Sequence, residues 1–349
     1  MNRLSTPQAL TMLEQADILE LGRKADAVRT RIHPGGLVTF VIDRNINYTN
    51  ICSSECRFCA FFRRKDDREA YVLANAVILD KLQETIAAGG TQVMLQGGLH
   101  PGLGLDYYLD LLRLIKANYS ITIHSFSPAE VLHMARQAGL TVRETLIRLK
   151  AAGLDSLPGG GAEILVDEVR QRVSPKKISA GDWLAVMEAA HAVGLESTAT
   201  MVIGMGETLA HRLEHLEKIR NLQEKTGGFR AFITWTFQPG NTELGGEKTS
   251  SWDYLRTLAM TRLYLDNIRH IQGSWVTQGQ TVGQLTLAFG ANDLGSIMLE
   301  ENVVRAAGTA YRMSIDKMTG MIAAAGKIPA QRDSRYRIIK RFAGLNQNE

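Results

Sequence analysis

Asn45-Ile46-Asn47-Tyr48-Thr49-Asn50-Ile51-Cys52-Ser53-Ser54-Glu55-Cys56-Arg57-Phe58-Cys59 is a short strand pattern running into three cysteines. The strand is expected over Ile46–Asn50. The thiols follow in the spacing C-x3-C-x2-C, with Phe58 before the last, and the chain has no other cysteine. Three thiols on one loop form a ligand set that is one short of four. A structural zinc normally closes its tetrahedron with a fourth protein ligand. A cubane iron–sulfur cluster on three thiolates would leave one iron open to a substrate or cosubstrate. The plainer readings are a zinc site completed by a distant His, or three free thiols exposed to oxidation.

Outward from this loop, short β-type runs alternate with longer amphipathic ones. Strands are expected at Gln92–Gln96, Ile121–His124, Ser156–Leu157, Ser197–Ile203, Phe232–Phe237, Gly273–Val276 and Leu287–Gly290. The expected helices include Ala76–Ala88, Asp106–Ala117, Pro128–Ala138, Trp183–Ala192, Ala210–Gln223 and Tyr254–Ile268. Several close on Gly, which tolerates the left-handed turn that ends a helix. Strand, loop and helix repeated about eight times read as an α/β fold, a (β/α)8 TIM-type barrel. The organisation expected is an N-terminal helical extension over 1–35, the barrel over 36–310, and a C-terminal helical tail over 311–349.

In such a barrel the active site lies at the C-terminal ends of the strands. The polar and Gly-rich motifs fall there: Gln96–Pro101, His124–Pro128, Leu157–Glu163, Gly204–Glu207, Phe237–Pro239 and Ala291–Gly295. Gly97 and Gly98 would let a ligand approach the backbone closely, or form a plain turn. Glu163 and Glu207 read equally as helix-start carboxylates favoured by the helix dipole. His100, His124 and Asp293 sit at strand ends and are candidates for proton transfer or substrate positioning; a single strand-end His also serves structure. Asp155 and Glu300 are similar candidates. His191, His211, His215 and His270 fall on amphipathic helices and are expected at the surface. Trp235, Trp275 and Phe237 would line the mouth or fill the core.

Composition narrows the partners. Forty basic residues nearly balance 36 acidic ones, for a net charge of +4. That gives no reason to expect nucleic acid or a membrane as the main partner. Charges at Glu14, Asp17 and Glu20 interrupt any signal-peptide pattern, and no apolar run approaches the ~18 residues of a spanning helix. Reduced thiols without an export signal point to the cytoplasm.

The cysteine spacing with an aromatic before the last Cys resembles the radical S-adenosylmethionine (radical SAM) superfamily. The resemblance implies a [4Fe-4S] cluster on Cys52, Cys56 and Cys59, with SAM on the open iron as the source of a 5′-deoxyadenosyl radical. It implies SAM contacts from Phe58, Gly97, Gly98, Ser127, Glu163 and Gly204. Two positions depart from the family pattern: Leu99 replaces the acid of the Gly-Gly-Glu motif, and Thr200 replaces the first Gly of the strand-5 motif. Longer stretches, LDSLPGGGAEI (154–164), FRAFITWTFQPGNT (229–242), GSWVTQG (273–279) and FGANDLGSIMLEENVV (289–304), resemble the futalosine-route cyclases of menaquinone biosynthesis. That likeness implies oxidative cyclisation of dehypoxanthine futalosine, with hydrogen abstracted at the ribose 4′ carbon and ring closure on the benzoate. It also implies an external one-electron reductant such as flavodoxin or ferredoxin. The tyrosine-using subunit of deazaflavin-precursor synthase and the aminofutalosine synthases share much of the pattern and stand as alternatives.

Overall fold

The computed structural model describes residues 3–342. Its strands are β1 (Leu37–Val41), β2 (Asp43–Ile46), β3 (Gln92–Leu95), β4 (Thr122–Ile123), β5 (Ser156–Leu157), β6 (Glu196–Ile203), β7 (Phe229–Thr236), β8 (His270–Gln272), β9 (Asp293–Ser296), β10 (Ile328–Arg332) and β11 (Ile338–Arg341). β1 and β2 form one extended line broken at Ile42. β2, β3 and β4 pair in parallel, as do β5 to β9 in order, and β9 returns to β1. The seam between β4 and β5 is closed by a bridge from His124 to Ser156. There the Ser125 N–H donates to the Ser156 carbonyl and the Asp155 N–H to the Ile123 carbonyl, each at 3.0 Å. The result is a closed parallel barrel of the expected α/β kind.

β6 shows how the sequence builds this wall. Ser197, Ala199, Met201 and Ile203 are fully buried under the outer helices, while Thr198, Thr200 and Val202 face the lumen. Period-two alternation therefore separates core from cavity.

Three strand expectations shift. The first strand is Leu37–Ile46, ahead of the expected Ile46–Asn50. The seventh is His270–Gln272, and the eighth Asp293–Ser296, with a single 3-10 turn at Thr286–Ala288 where a strand was expected. The causes differ: β1 (Leu37–Val41) is an apolar run that lies earlier than expected, while β8 and β9 are short and carry Gln272 and Ser296 toward the cavity.

The N-terminal extension is two helices, Thr6–Gln15 and Ile18–Ile32. Leu13, Leu21 and Ala25 are buried in the same core as the helix Ser251–Tyr264. Arg256 fastens the join by donating to the carbonyls of Leu13 and Ala16, both at 2.9 Å.

The C-terminal tail is only partly helical. It contains the helix Ile315–Ala324 and then a β-hairpin; residues 343–349 lie outside the described residues. β10 runs parallel to β1 over Leu37↔Ile328 to Phe40↔Gln331, and β11 folds back antiparallel on it. The hairpin turn carries Ser334 and Tyr336 to the N-terminal end of the barrel, where with Arg332 they floor the cavity. No helix among the described residues is long and apolar enough to cross a membrane.

Candidate active site

A cavity of about 350 Å³ runs down the barrel from the cysteine loop. Phe58, Cys59 and Ala60 lie at its mouth with Gly159, Gly160, Gly161 and Glu163. Thr198, Thr200, Trp235 and Met94 form its walls, Phe237 and Trp275 line it, and Arg230, Arg332 and Tyr336 are at the far end.

The cysteine loop is pinned on both sides. The Ser53 N–H donates to the Leu99 carbonyl and the Gly98 N–H to the Thr49 carbonyl, each at 3.0 Å. The Arg57 N–H reaches the Val173 carbonyl, and its side chain pairs with Glu243 at 2.7 Å. Burial pushes the Cys56 thiol up to about 12, against the nearby Lys177 ammonium. Burial also raises Cys59, whose sulfur is offered the N–H groups of Phe61 and Phe62. Burial thus favours the neutral thiols, while the Lys177 ammonium and the backbone N–H groups would favour the thiolates that a bound metal requires. Among the described residues no three His, Cys, Asp or Glu side chains, the three thiols included, converge on a single-ion site. Three thiols on one loop are by their chemistry a donor set that fits an iron–sulfur cluster.

Gly97 and Gly98 serve this packing. A Cβ at Gly98 would lie 2.2 Å from the Ile51 carbonyl oxygen and 2.7 Å from Cys52 Cβ; one at Gly97 would strike the Tyr48 ring at 2.4 Å. Beneath them lies Glu130, the acid of the Ser127-x-x-Glu130 capping box. Its carboxylate accepts from Tyr48 Oη at 2.7 Å and the Gly97 N–H at 3.0 Å. The other oxygen takes the Ser127 N–H and hydroxyl, both at 2.7 Å. Ser127 is thus the N-cap of the helix Pro128–Ala138, and its hydroxyl is committed there.

The Gly triplet after β5 is held against β6. The Thr200 hydroxyl donates to the Gly159 carbonyl at 2.6 Å, the Gly159 N–H reaches Thr198 at 3.0 Å, and Trp183 Nε1 caps the Gly160 carbonyl at 3.2 Å. Glu163 follows with φ of 41°, a strained setting for a non-Gly residue. Its carboxylate meets Lys177 at 2.8 Å and Arg170 at 3.5 Å. Burial pulls the Lys177 ammonium down, but Glu163 outweighs it and the net shift is upward. Lys177 also lies 5.4 Å from the Phe58 ring centre, within cation–π range, so Glu163, Lys177 and Phe58 form one cluster at the mouth. Gly204 is set back from the wall, with its N–H given to the Glu207 carboxylate at 2.9 Å. Glu207 in turn pairs with Arg212 at 2.8 Å.

The proton-transfer candidates fare unevenly. His100 lies off the cavity wall, and its Nδ1 accepts the Gly102 N–H at 2.9 Å in a local turn. Asp293 is on β9, fully buried, and held by Arg332 at 2.6 and 3.0 Å and by Thr39 at 2.5 Å. With its oxygens engaged, it is a structural ion-pair partner rather than a free acid. His124 does line the cavity. Burial, then Arg230 and Arg332, hold it well below the usual range, so it is neutral. Asp155 and Glu300 are paired with Lys116 and Lys81. His215 is fully buried, not at the surface, with Nδ1 on the Leu165 N–H at 3.0 Å. His270 lies on β8, stacked 3.6 Å from the Tyr336 ring.

Two cavity residues escape sequence reading. Asp43, on β2, bonds Gln92 Nε2 at 2.6 Å and Ser296, and burial lifts its carboxyl above the ordinary range. Arg230, on β7, reaches Ser156 at 2.9 Å and His124 at 3.2 Å. Asp43 belongs to no quoted motif, and Arg230, though inside the stretch 229–242, was not singled out as a site residue.

A parallel barrel with a three-thiol loop over its mouth defines a radical SAM enzyme. The chain belongs to the radical SAM superfamily, whose family model matches residues 46–219, and the model "CofH/MqnC C-terminal region" matches residues 226–343. Membership implies a [4Fe-4S] cluster and SAM. The chain is 50% identical over 342 residues to "Cyclic dehypoxanthine futalosine synthase" of Halalkalibacterium halodurans, covering 97% of this chain and 92% of that one. It is 40% identical to "5-amino-6-(D-ribitylamino)uracil--L-tyrosine 4-hydroxyphenyl transferase" of Archaeoglobus fulgidus, covering 95% and 98%. The fold matches the FeFe-hydrogenase maturase HydG from Carboxydothermus hydrogenoformans with a TM-score of 0.76 at 18% identity, covering 96% of this chain and 78% of that one.

Proposed function

We propose that this protein is a radical SAM cyclase that converts dehypoxanthine futalosine to its cyclic form in menaquinone biosynthesis. The observation that carries this is the step in similarity from 40% for a tyrosine-using relative to 50% for a cyclase, over nearly the whole chain in both cases. Cys52, Cys56 and Cys59 would hold the cluster. Phe58, Gly97, Gly98 and Glu163 would hold SAM at the mouth, with Ser127 and Gly204 supporting the backbone behind them. When bound, the cluster and SAM would supply the radical chemistry that removes hydrogen from the ribose 4′ carbon. The walls do the rest by positioning and by excluding water. Ring closure on the benzoate would release one proton and one electron, the electron passing to a one-electron carrier of the flavodoxin or ferredoxin class. Asp43, in its ionised form, would accept the proton, in place of His100 and Asp293. His124 positions the substrate, and flavodoxin or ferredoxin serves as reductant.

The test is anaerobic incubation of reconstituted enzyme with dehypoxanthine futalosine, SAM and dithionite. A product about two mass units lighter, from loss of two hydrogens, supports the cyclase. Deoxyadenosine without that product, together with turnover of tyrosine and a diaminouracil, would replace it with the tyrosine-using reading. Cys56→Ala is expected to abolish both iron loading and SAM cleavage.

A further inference from the structure

The charged groups around the cavity are almost all spoken for. Glu163 is paired with Lys177 and Arg170, and Arg332 with Asp293. Glu301 accepts the N–H groups of Val303, Val304 and Arg305. Asp43 is engaged by Gln92 and Ser296. Arg230 is different. Among the described residues it has no carboxylate in ion-pair contact, and its buried Nε has no hydrogen-bond partner. Its only polar contacts are Ser156 and the neutral His124, through Nη2.

The position of this cation has meaning. Arg230 is near the start of β7 and Thr236 is at its end, a run of about 20 Å at ~3.3 Å per residue. Both ends line the same cavity. Arg230 also borders a smaller cavity of about 200 Å³ lined by Thr122, Asp155, Ser156, Ser334, Arg335 and Arg337, where the Asp155 carboxylate is paired with Lys116. The mouth therefore holds the thiol loop, and the floor holds a guanidinium that, among the described residues, has no carboxylate in ion-pair contact. A buried cation is costly unless paired, and a guanidinium fork matches a carboxylate in geometry.

We infer that Arg230 is the anchor for the substrate's aryl carboxylate, holding it at the barrel floor while the sugar lies toward the mouth. The inference rests on the cyclase reading. It adds the orientation of the substrate and the residue that sets it. Ser156 and His124 hold the guanidinium, and Tyr336 and Ser334 close the floor beside it. A charge-assisted bond of this kind is worth roughly 10- to 100-fold in affinity.

The experiment compares dehypoxanthine futalosine with its benzoate methyl ester, on wild-type holoenzyme and on R230M and R230K. The wild type is expected to prefer the acid. R230M should raise KM for the acid about 10- to 100-fold, leave the ester nearly unchanged, and keep reductive SAM cleavage. R230K should recover part of the preference. Equal losses on acid and ester, or no loss, would overturn the inference in favour of a purely structural Arg230. Equilibrium dialysis of labelled benzoate separates this from the parent reading. If neither substrate turns over but benzoate binds wild type and not R230M, the cyclase reading fails and the anion site stands. If benzoate binds both alike, the anion site fails.

Discussion

Asp43 illustrates what one side chain can be asked to do. Its carboxyl is kept above the ordinary range by burial, with Ser296 and Gln92 pulling the other way. A proton acceptor must be ionised, so cyclisation is expected to rise with pH through that elevated value. Asp43→Asn should slow cyclisation about 100-fold or more, remove the acid limb of the profile, and leave deoxyadenosine formation in place. Unchanged product formation in this variant would take Asp43 out of the chemistry. The cysteines were legible in the sequence because three ligands share one loop. Asp43, Glu130 and Arg230 were not singled out, because each lies on a different element and only the closed barrel brings them near the others. Asp293 misled for a related reason: its acidity was visible, but its partner Arg332 lies 39 residues away on the hairpin.

Elements explain which parts of the fold could be read. β6 and the helix Pro128–Ala138 announced themselves by alternation and by a capped start. β9 and the hairpin did not, because β9 is a four-residue run of mixed polarity and β11 is exposed along its length. Two variants probe these joins. Gly98→Ala drives a methyl against the Ile51 carbonyl, and overpacking of this kind costs about 1–3 kcal/mol. A lowered midpoint with reduced iron per chain is expected; normal iron loading would show that the loop can move aside. Arg332→Met strands a buried Asp293 and should cost about 3–5 kcal/mol by denaturant unfolding. The double variant Asp293→Asn/Arg332→Met should recover part of that loss. If the single and double variants were equally unstable, the pair would have no coupling.

Across the whole molecule, buried imidazoles set the response to acid. Burial lowers His33 and His191 to about 4, His215 to about 3 and His270 to about 2. The unfolded chain takes up protons near 6.5, which the folded chain refuses. Stability is therefore full above about pH 6.5 and falls as pH drops toward 4. Denaturant midpoints between pH 7 and 5 should show that decline, and His215→Gln should flatten it; a level profile would contradict the assignment. The hairpin carries a further consequence, in the order of manufacture. The thiol loop leaves the ribosome well before the hairpin that supplies the floor of the chamber. A nascent chain can offer its thiols to iron delivery long before it owns a closed substrate chamber. Metal loading and enclosure are thus separated in time by the length of the barrel.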